Sequence, residues 1–190
     1  MDKTLDSVHE FFPEVERISD DELRQKVLRT WVEAWKSSDY DQLDQTPFLH
    51  DDIVGINNVE HTRAVTIMCI QFAETLKKFH NITINMDYLI AGAVLHDLGK
   101  IFEYSENPSK LGRLFTHPIS AMYFATKEDL PLEVIHIIET HSLEGELVKR
   151  TPEAAIVHYM DFAYAETVLR AKTDTSTGER MKFRVIRTGV

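Results

Sequence analysis

The stretch "LIAGAVLHDLGK", Leu89 to Lys100, is apolar or small from Leu89 to Leu95 and then sets a histidine beside an aspartate. A run of that composition reads as a helix buried on every side. Its periodicity decides where the polar pair goes. His96 extends the row of Leu89, Gly92 and Ala93, and Asp97 extends the row of Ile90, Ala93 and Val94, so both reach the interior at one end of a core helix. The small residues Ala91, Gly92 and Ala93 let neighbouring helices come close.

Outward from this helix, apolar spacing and cap signals give more helices, with no convincing hairpin and no repeat, so the expected fold is all-α. One helix is expected from Asp20 to Ser37, with Ser19 or Asp20 as N-cap and Leu23, Val27, Trp31 and Trp35 on its inner face. A Ser38 to Asn58 connection leads to a long helix from Val59 to Phe79. Asn81 to Asn85 opens the central helix, which is expected to end at Gly99 as a C-terminal glycine cap. "EYSENPSKLGR", Glu103 to Arg113, reads as a loop. Helices from Pro118 to Lys127, Pro131 to His141 and Pro152 to Lys172 each start at or near a proline, where the missing N–H costs least.

The chain has 190 residues, 43% hydrophobic and 27% charged, which is ordinary globular composition for a single domain. No run approaches the ~18 apolar residues of a membrane span, and "MDKTLDSVHE" resembles no secretory or mitochondrial address, so a cytoplasmic protein is expected. A net charge of −10 argues against general nucleic-acid binding. The one cysteine, Cys69, lies among Ile67, Met68 and Ile70 and reads as core. From Lys172 onward five basic residues outnumber two acidic ones, and "MKFRVIR" alternates apolar with basic. That segment reads as a linker and tail, with a substrate cover or dimer-pairing strand as the other reading.

The histidines divide by face. His61 shares a stripe with Ala64, Val65, Met68 and Phe72; His141 shares one with Val134, Ile137 and Ile138; His136, about 140° away, faces solvent. Asp161 sits among Val157, Tyr164 and Val168, where a carboxylate is buried, and His158 lies about 60° from it. His117, near a helix start, could cap or face solvent. A lone histidine on an apolar face is usually a hydrogen-bonded core residue. The set is another matter. An unpartnered buried carboxylate costs several kcal/mol, and no Lys or Arg shares these stripes, so the group points to a metal centre of nitrogen and oxygen ligands. "LHDD" at Leu49 to Asp52 repeats the His-Asp pair without an apolar helix behind it, so His50 and Asp51 are expected at the surface.

The pattern resembles the HD-domain superfamily of metal-dependent phosphohydrolases over Asn57 to Ala171. The resemblance implies an HD-domain helical bundle at residues 57–171, with residues 1–56 packing a helix and connecting loop on it and residues 172–190 forming a tail. It implies that His61 in "VEHTRAV", His96, Asp97 and Asp161 in "AIVHYMDFAYAE" hold one metal. His117 in "FTHP" and His141 in "IETHS" match the extra histidines of dinuclear members, in which the aspartate of the pair bridges both metals. One or two divalent transition metals (Fe, Mn, Ni, Co or Zn) are implied, with a small phosphate ester or nucleotide as substrate and a metal-activated water as attacking group. Asp97 and Lys100 take the catalytic roles. Lys100, Arg113 and His158 are substrate-contact candidates, although a lysine at a helix C-terminus also serves the macrodipole. The chain lacks the Gly-Tyr-Pro motif and paired histidines of the cyclic-di-nucleotide phosphodiesterase branch, having "THSLEG" there. The ligand set is similar too to mixed-valent diiron oxygenases on this scaffold, and a non-catalytic nucleotide or metal sensor is the third reading. A homo-oligomer stays open.

Overall fold

A computed structural model describes residues 2–50, 52–105 and 108–180. In chain order these form α1 (Leu5–Phe11), a 3-10 turn (Pro13–Arg17), α2 (Asp21–Lys36), α3 (Asn58–His80), α4 (Met86–Leu95), α5 (Lys100–Glu103), α6 (Lys110–Leu114), α7 (His117–Lys127), α8 (Leu132–Thr140) and α9 (Pro152–Thr173). Among the described residues the only β pairing is one isolated bridge between Pro47 and Asn57. The fold is all-α, as the periodicity predicts.

Local chemistry sets the helix ends. The Asp20 side chain accepts the Glu22 and Leu23 N–H groups, and Asn57 and Glu60 form a reciprocal capping box at the start of α3. That helix ends on Asn81 in the left-handed region, a conformation asparagine tolerates. Asn85 and Thr151 cap α4 and α9 through their side chains.

The central element is α4, buried from Leu89 to Leu95. One side of it meets α2 and the 3-10 turn, in a cluster that α1 and α7 help to close around Phe12, Trp31, Trp35 and Phe124; the other meets α3, α8 and α9 around Val65, Cys69, Ile137 and Val157. Gly92 makes this possible, because a Cβ there would sit 2.4 Å from Ile137 Cγ2. Burial raises the Cys69 thiol pKa well above its ordinary value, so it stays a neutral core group.

Four expectations need correction. First, Gly99 is not a left-handed cap: its φ is −68°, and the chain turns there into α5. Glycine is required for a different reason, since a Cβ would lie 2.0 Å from the His117 carbonyl oxygen. Second, Glu103 to Arg113 is not all loop, because it contains the end of α5 and most of α6. Third, the buried row of α3 is His61, Val65, Cys69 and Ala73, with Phe72 41% exposed. That row follows the every-fourth-residue ridge by which α3 packs, leaving Met68 and Phe72 on the adjoining face. Fourth, His136 is half-buried and its Nε2 accepts the Thr151 N–H at 3.3 Å, so it supports the start of α9. The periodicity reading also omitted α1 and the 3-10 turn, which close the core beside α2 and α4.

Candidate metal centre

The end of α4 is shaped to deliver two polar side chains at once. The Trp31 Nε1–H donates to the Val94 carbonyl at 3.1 Å, and the Leu98 N–H bonds Leu95 instead. The helix therefore tightens from α to 3-10 geometry beyond Leu95. Asn58, on α3, donates its amide to the Asp97 carbonyl at 3.1 Å and holds the turned segment in place.

Around it six predicted residues converge. His61, His96, Asp97 and Asp161 have ligand atoms within 4.8 Å of one another, and Asp97, His117 and His141 form a second such group. Asp97 belongs to both through different oxygens. Its Oδ2 lies 2.9 Å from His61 Nε2 and 3.2 Å from His96 Nε2. Its Oδ1 faces His117 Nε2 at 3.5 Å and His141 Nε2 at 3.6 Å. Asp161 Oδ1 completes the first group, 3.1 Å from His61 Nε2.

The imidazole protons can be assigned from their partners. Carbonyl oxygens only accept, so His96 Nδ1, 2.6 Å from Ala93 O, and His141 Nδ1, 2.6 Å from Ile138 O, must donate. His117 Nδ1 donates to Glu103 Oε2 at 2.8 Å. In the neutral rings this leaves every one of these Nε2 atoms as a lone pair. Two of them, on His117 and His141, are only 3.2 Å apart. Facing lone pairs at that separation repel unless a cation lies between them, and the Asp97 carboxylate is beside them. The donor set fits divalent transition metals of the imidazole-and-carboxylate type. His61 Nδ1, buried with no hydrogen-bond partner among the described residues, differs from the other three. Its ring is held instead by stacking on Phe48, centroid to centroid at 4.0 Å.

Charge is balanced locally. Burial pushes the Asp97 carboxyl up, but the positive charge of Lys100 beside it outweighs burial and holds its pKa well below the usual range. Asp161 behaves alike: burial raises its pKa, whereas His61 and His96 bring it to about 2. Lys100 is buried, its Nζ 2.5 Å from Asp97 Oδ2 and 4.6 Å above the Phe48 ring. Burial would lower its pKa, and Asp97, Tyr104 and Asp161 together raise it. The solvated-cap reading of Lys100 therefore does not hold.

Two other predicted contacts lie apart from the cluster. Arg113 is exposed on α6 and donates to the Pro108 carbonyl at 3.0 Å. His158 is buried, but its Nδ1 donates to the His141 carbonyl at 2.7 Å and its Nε2 pairs with Glu146 at 3.3 Å. It braces the backbone under a ligand candidate. His50 is exposed as expected, and Asp51 lies outside the described residues. Sequence reasoning missed Glu103, whose signal was available: Asp97, Lys100 and Glu103 recur every third residue, on one side of the tightened segment.

A buried pair of ligand groups sharing one aspartate, carried on a helical bundle, defines a metal-binding all-α protein. More narrowly, the chain belongs to the HD domain family, whose model matches residues 58–163 and so spans all six residues. It is 32% identical over 168 residues to the dihydroneopterin 2′,3′-cyclic phosphate phosphodiesterase of Methanocaldococcus jannaschii. That similarity covers 78% of this chain and 65% of the relative. No solved structure gives a significant match.

Proposed function

We propose that the chain is a metal-dependent phosphohydrolase that opens a small cyclic phosphodiester, of the kind named for its relative, to a phosphate monoester. The observation that carries this reading is the pair of ligand groups joined through the two oxygens of Asp97. His61, His96, Asp97 and Asp161 would hold one metal, and Asp97, His117 and His141 a second, drawn from Fe, Mn, Ni, Co or Zn. Bound there, the metals would supply Lewis acidity toward a phosphate oxygen and a water made nucleophilic at neutral pH.

The protein's own residues supply the rest. Rings with their Nδ1–H groups anchored keep their Nε2 atoms in place, so little reorganisation is needed when the substrate arrives. Lys100 spends one of its three N–H donors on Asp97 and keeps a buried positive charge beside the cluster for the phosphoryl oxygens. In the reaction a P–O bond forms to the water oxygen, the ring P–O ester bond breaks, and a proton ends on the released hydroxyl. The net charge of −10 does not oppose an anionic substrate, because bound divalent ions set the local field.

The test is a panel of phosphate mono- and diesters, including dihydroneopterin 2′,3′-cyclic phosphate, with wild type and Asp97→Asn loaded with each metal in turn. Hydrolysis of the cyclic diester by wild type alone is expected. Stoichiometric iron with substrate-dependent oxygen consumption would establish oxygenase chemistry instead, and an inert Asp97→Asn difference across the panel would favour a sensor.

A further inference from the structure

His96 and His141 each send the Nδ1–H to a carbonyl one turn back in their own helix, at Ala93 and Ile138. His117 has no such turn behind it, because it is the first residue of α7. Both of its donors end instead on one atom from another helix. Glu103 Oε2 accepts the His117 backbone N–H at 2.7 Å and the ring Nδ1–H at 2.8 Å. The two side chains are equally sheltered, 11% exposed. The carboxylate therefore fixes the tautomer and the angle of the ring together, and its charge makes Nε2 a better donor to a cation.

We infer that Glu103 is the positioning residue of the second ligand group. It sets the affinity of the site formed by Asp97, His117 and His141, while the site formed by His61, His96, Asp97 and Asp161 is independent of it. This inference rests on the two-metal reading above. Lys100 and Glu103, the two ends of α5, thus serve different halves of the centre: Lys100 contacts Asp97 Oδ2, on the His61 and His96 side, and Glu103 contacts His117.

The test uses the full chain with Glu103→Gln and Glu103→Ala, and two readouts. In metal-free protein, nitrogen-detected spectra of the His117 ring report the Nδ1–H tautomer in wild type; a mixture with Nε2–H is expected in Glu103→Ala. In Mn²⁺ titrations, wild type takes two equivalents. Glu103→Ala is expected to weaken one of them by about 10- to 100-fold and leave the other unchanged. Glu103→Gln falls between, since its amide oxygen still accepts an N–H, and it supplies both readouts if the alanine variant does not fold. Unchanged tautomer and affinities in the variants, or equal loss at both sites, would overturn the inference. Fewer than two equivalents in wild type would instead break the two-metal reading, and the ring spectra would then decide the part played by Glu103.

Discussion

Asp97 is 1% exposed and ionised because Lys100, a residue one turn on, is buried against it. Removing one partner of such a pair strands the other charge. Lys100→Met is therefore expected to destabilise the metal-free protein by about 3 kcal/mol in denaturant unfolding. Metal loading should recover much of that loss, because bound cations take over the carboxylate. Hydrolysis should still fall by about 100-fold, the usual scale for removing a group that meets developing charge. At this scale the sequence was informative where a helix was regular. His61 and Asp161 lie within regular helices, and His96, Asp97 and His141 within two residues of a helix end, so the 3.6-residue period still points them inward. His117 escaped that test because it begins its helix, and Lys100 because the helix tightens before it. Arg113 was proposed from its nearness in sequence to His117, which gave no information about the direction of its side chain.

Among the elements, α4 meets α8 and α5 meets α7 where glycine permits it. Glycine to alanine inside a helix ordinarily stabilises by up to about 1 kcal/mol. Gly99→Ala is expected to do the reverse, since its Cβ would collide with the His117 carbonyl, and it should weaken one Mn²⁺ equivalent as well as lower the melting temperature. Gly92→Ala collides only with the Ile137 side chain, so a loss of about 1 to 3 kcal/mol with unchanged metal stoichiometry is expected in the same two measurements. Another junction joins α2 to α4. The Asp87 carboxylate accepts the Ser19 N–H and hydroxyl, both at 2.8 Å, and the Asp20 N–H at 3.1 Å. Burial alone would raise its pKa, but these three donors outweigh burial and hold it below 3.8. The sign follows. A depressed folded-state pKa contributes stability above the unfolded value near 3.8, and that contribution is lost as pH falls through the lower folded value. Asp87→Asn should cost about 1 kcal/mol at pH 7, as for other helix caps, and the gap from wild type should close in acid, as read by urea unfolding at both pH values.

For the whole molecule, the centre is assembled from residues as distant in sequence as His61 and Asp161, so cations bound there tie α3, α4, α7, α8 and α9 together. A ligand of the folded state at about 100 times its dissociation constant adds about 2.7 kcal/mol. Chelation should accordingly lower the melting temperature of wild type and leave Asp97→Ala nearly unmoved. The all-α class, most helix boundaries and the inward histidines were legible because they depend on period and caps, both local. The packing of α1 and the 3-10 turn against α2 and α4, the 3-10 tightening under Trp31, and Glu103 reaching His117 were not legible, because each depends on a contact between segments far apart in the chain or on a break in helical period. The alternating basic segment at Met181 to Arg187 lies outside the described residues.

The most direct test of the two-metal hydrolase is isotopic. Metal-loaded protein is incubated with dihydroneopterin 2′,3′-cyclic phosphate in ¹⁸O-labelled water, and the product is weighed by mass spectrometry. The account predicts a phosphate monoester carrying one ¹⁸O on phosphorus, formed by wild type and by neither stripped protein nor Asp97→Asn. Recovery of unchanged substrate from fully loaded wild type, or turnover that survives in Asp97→Asn, would contradict it.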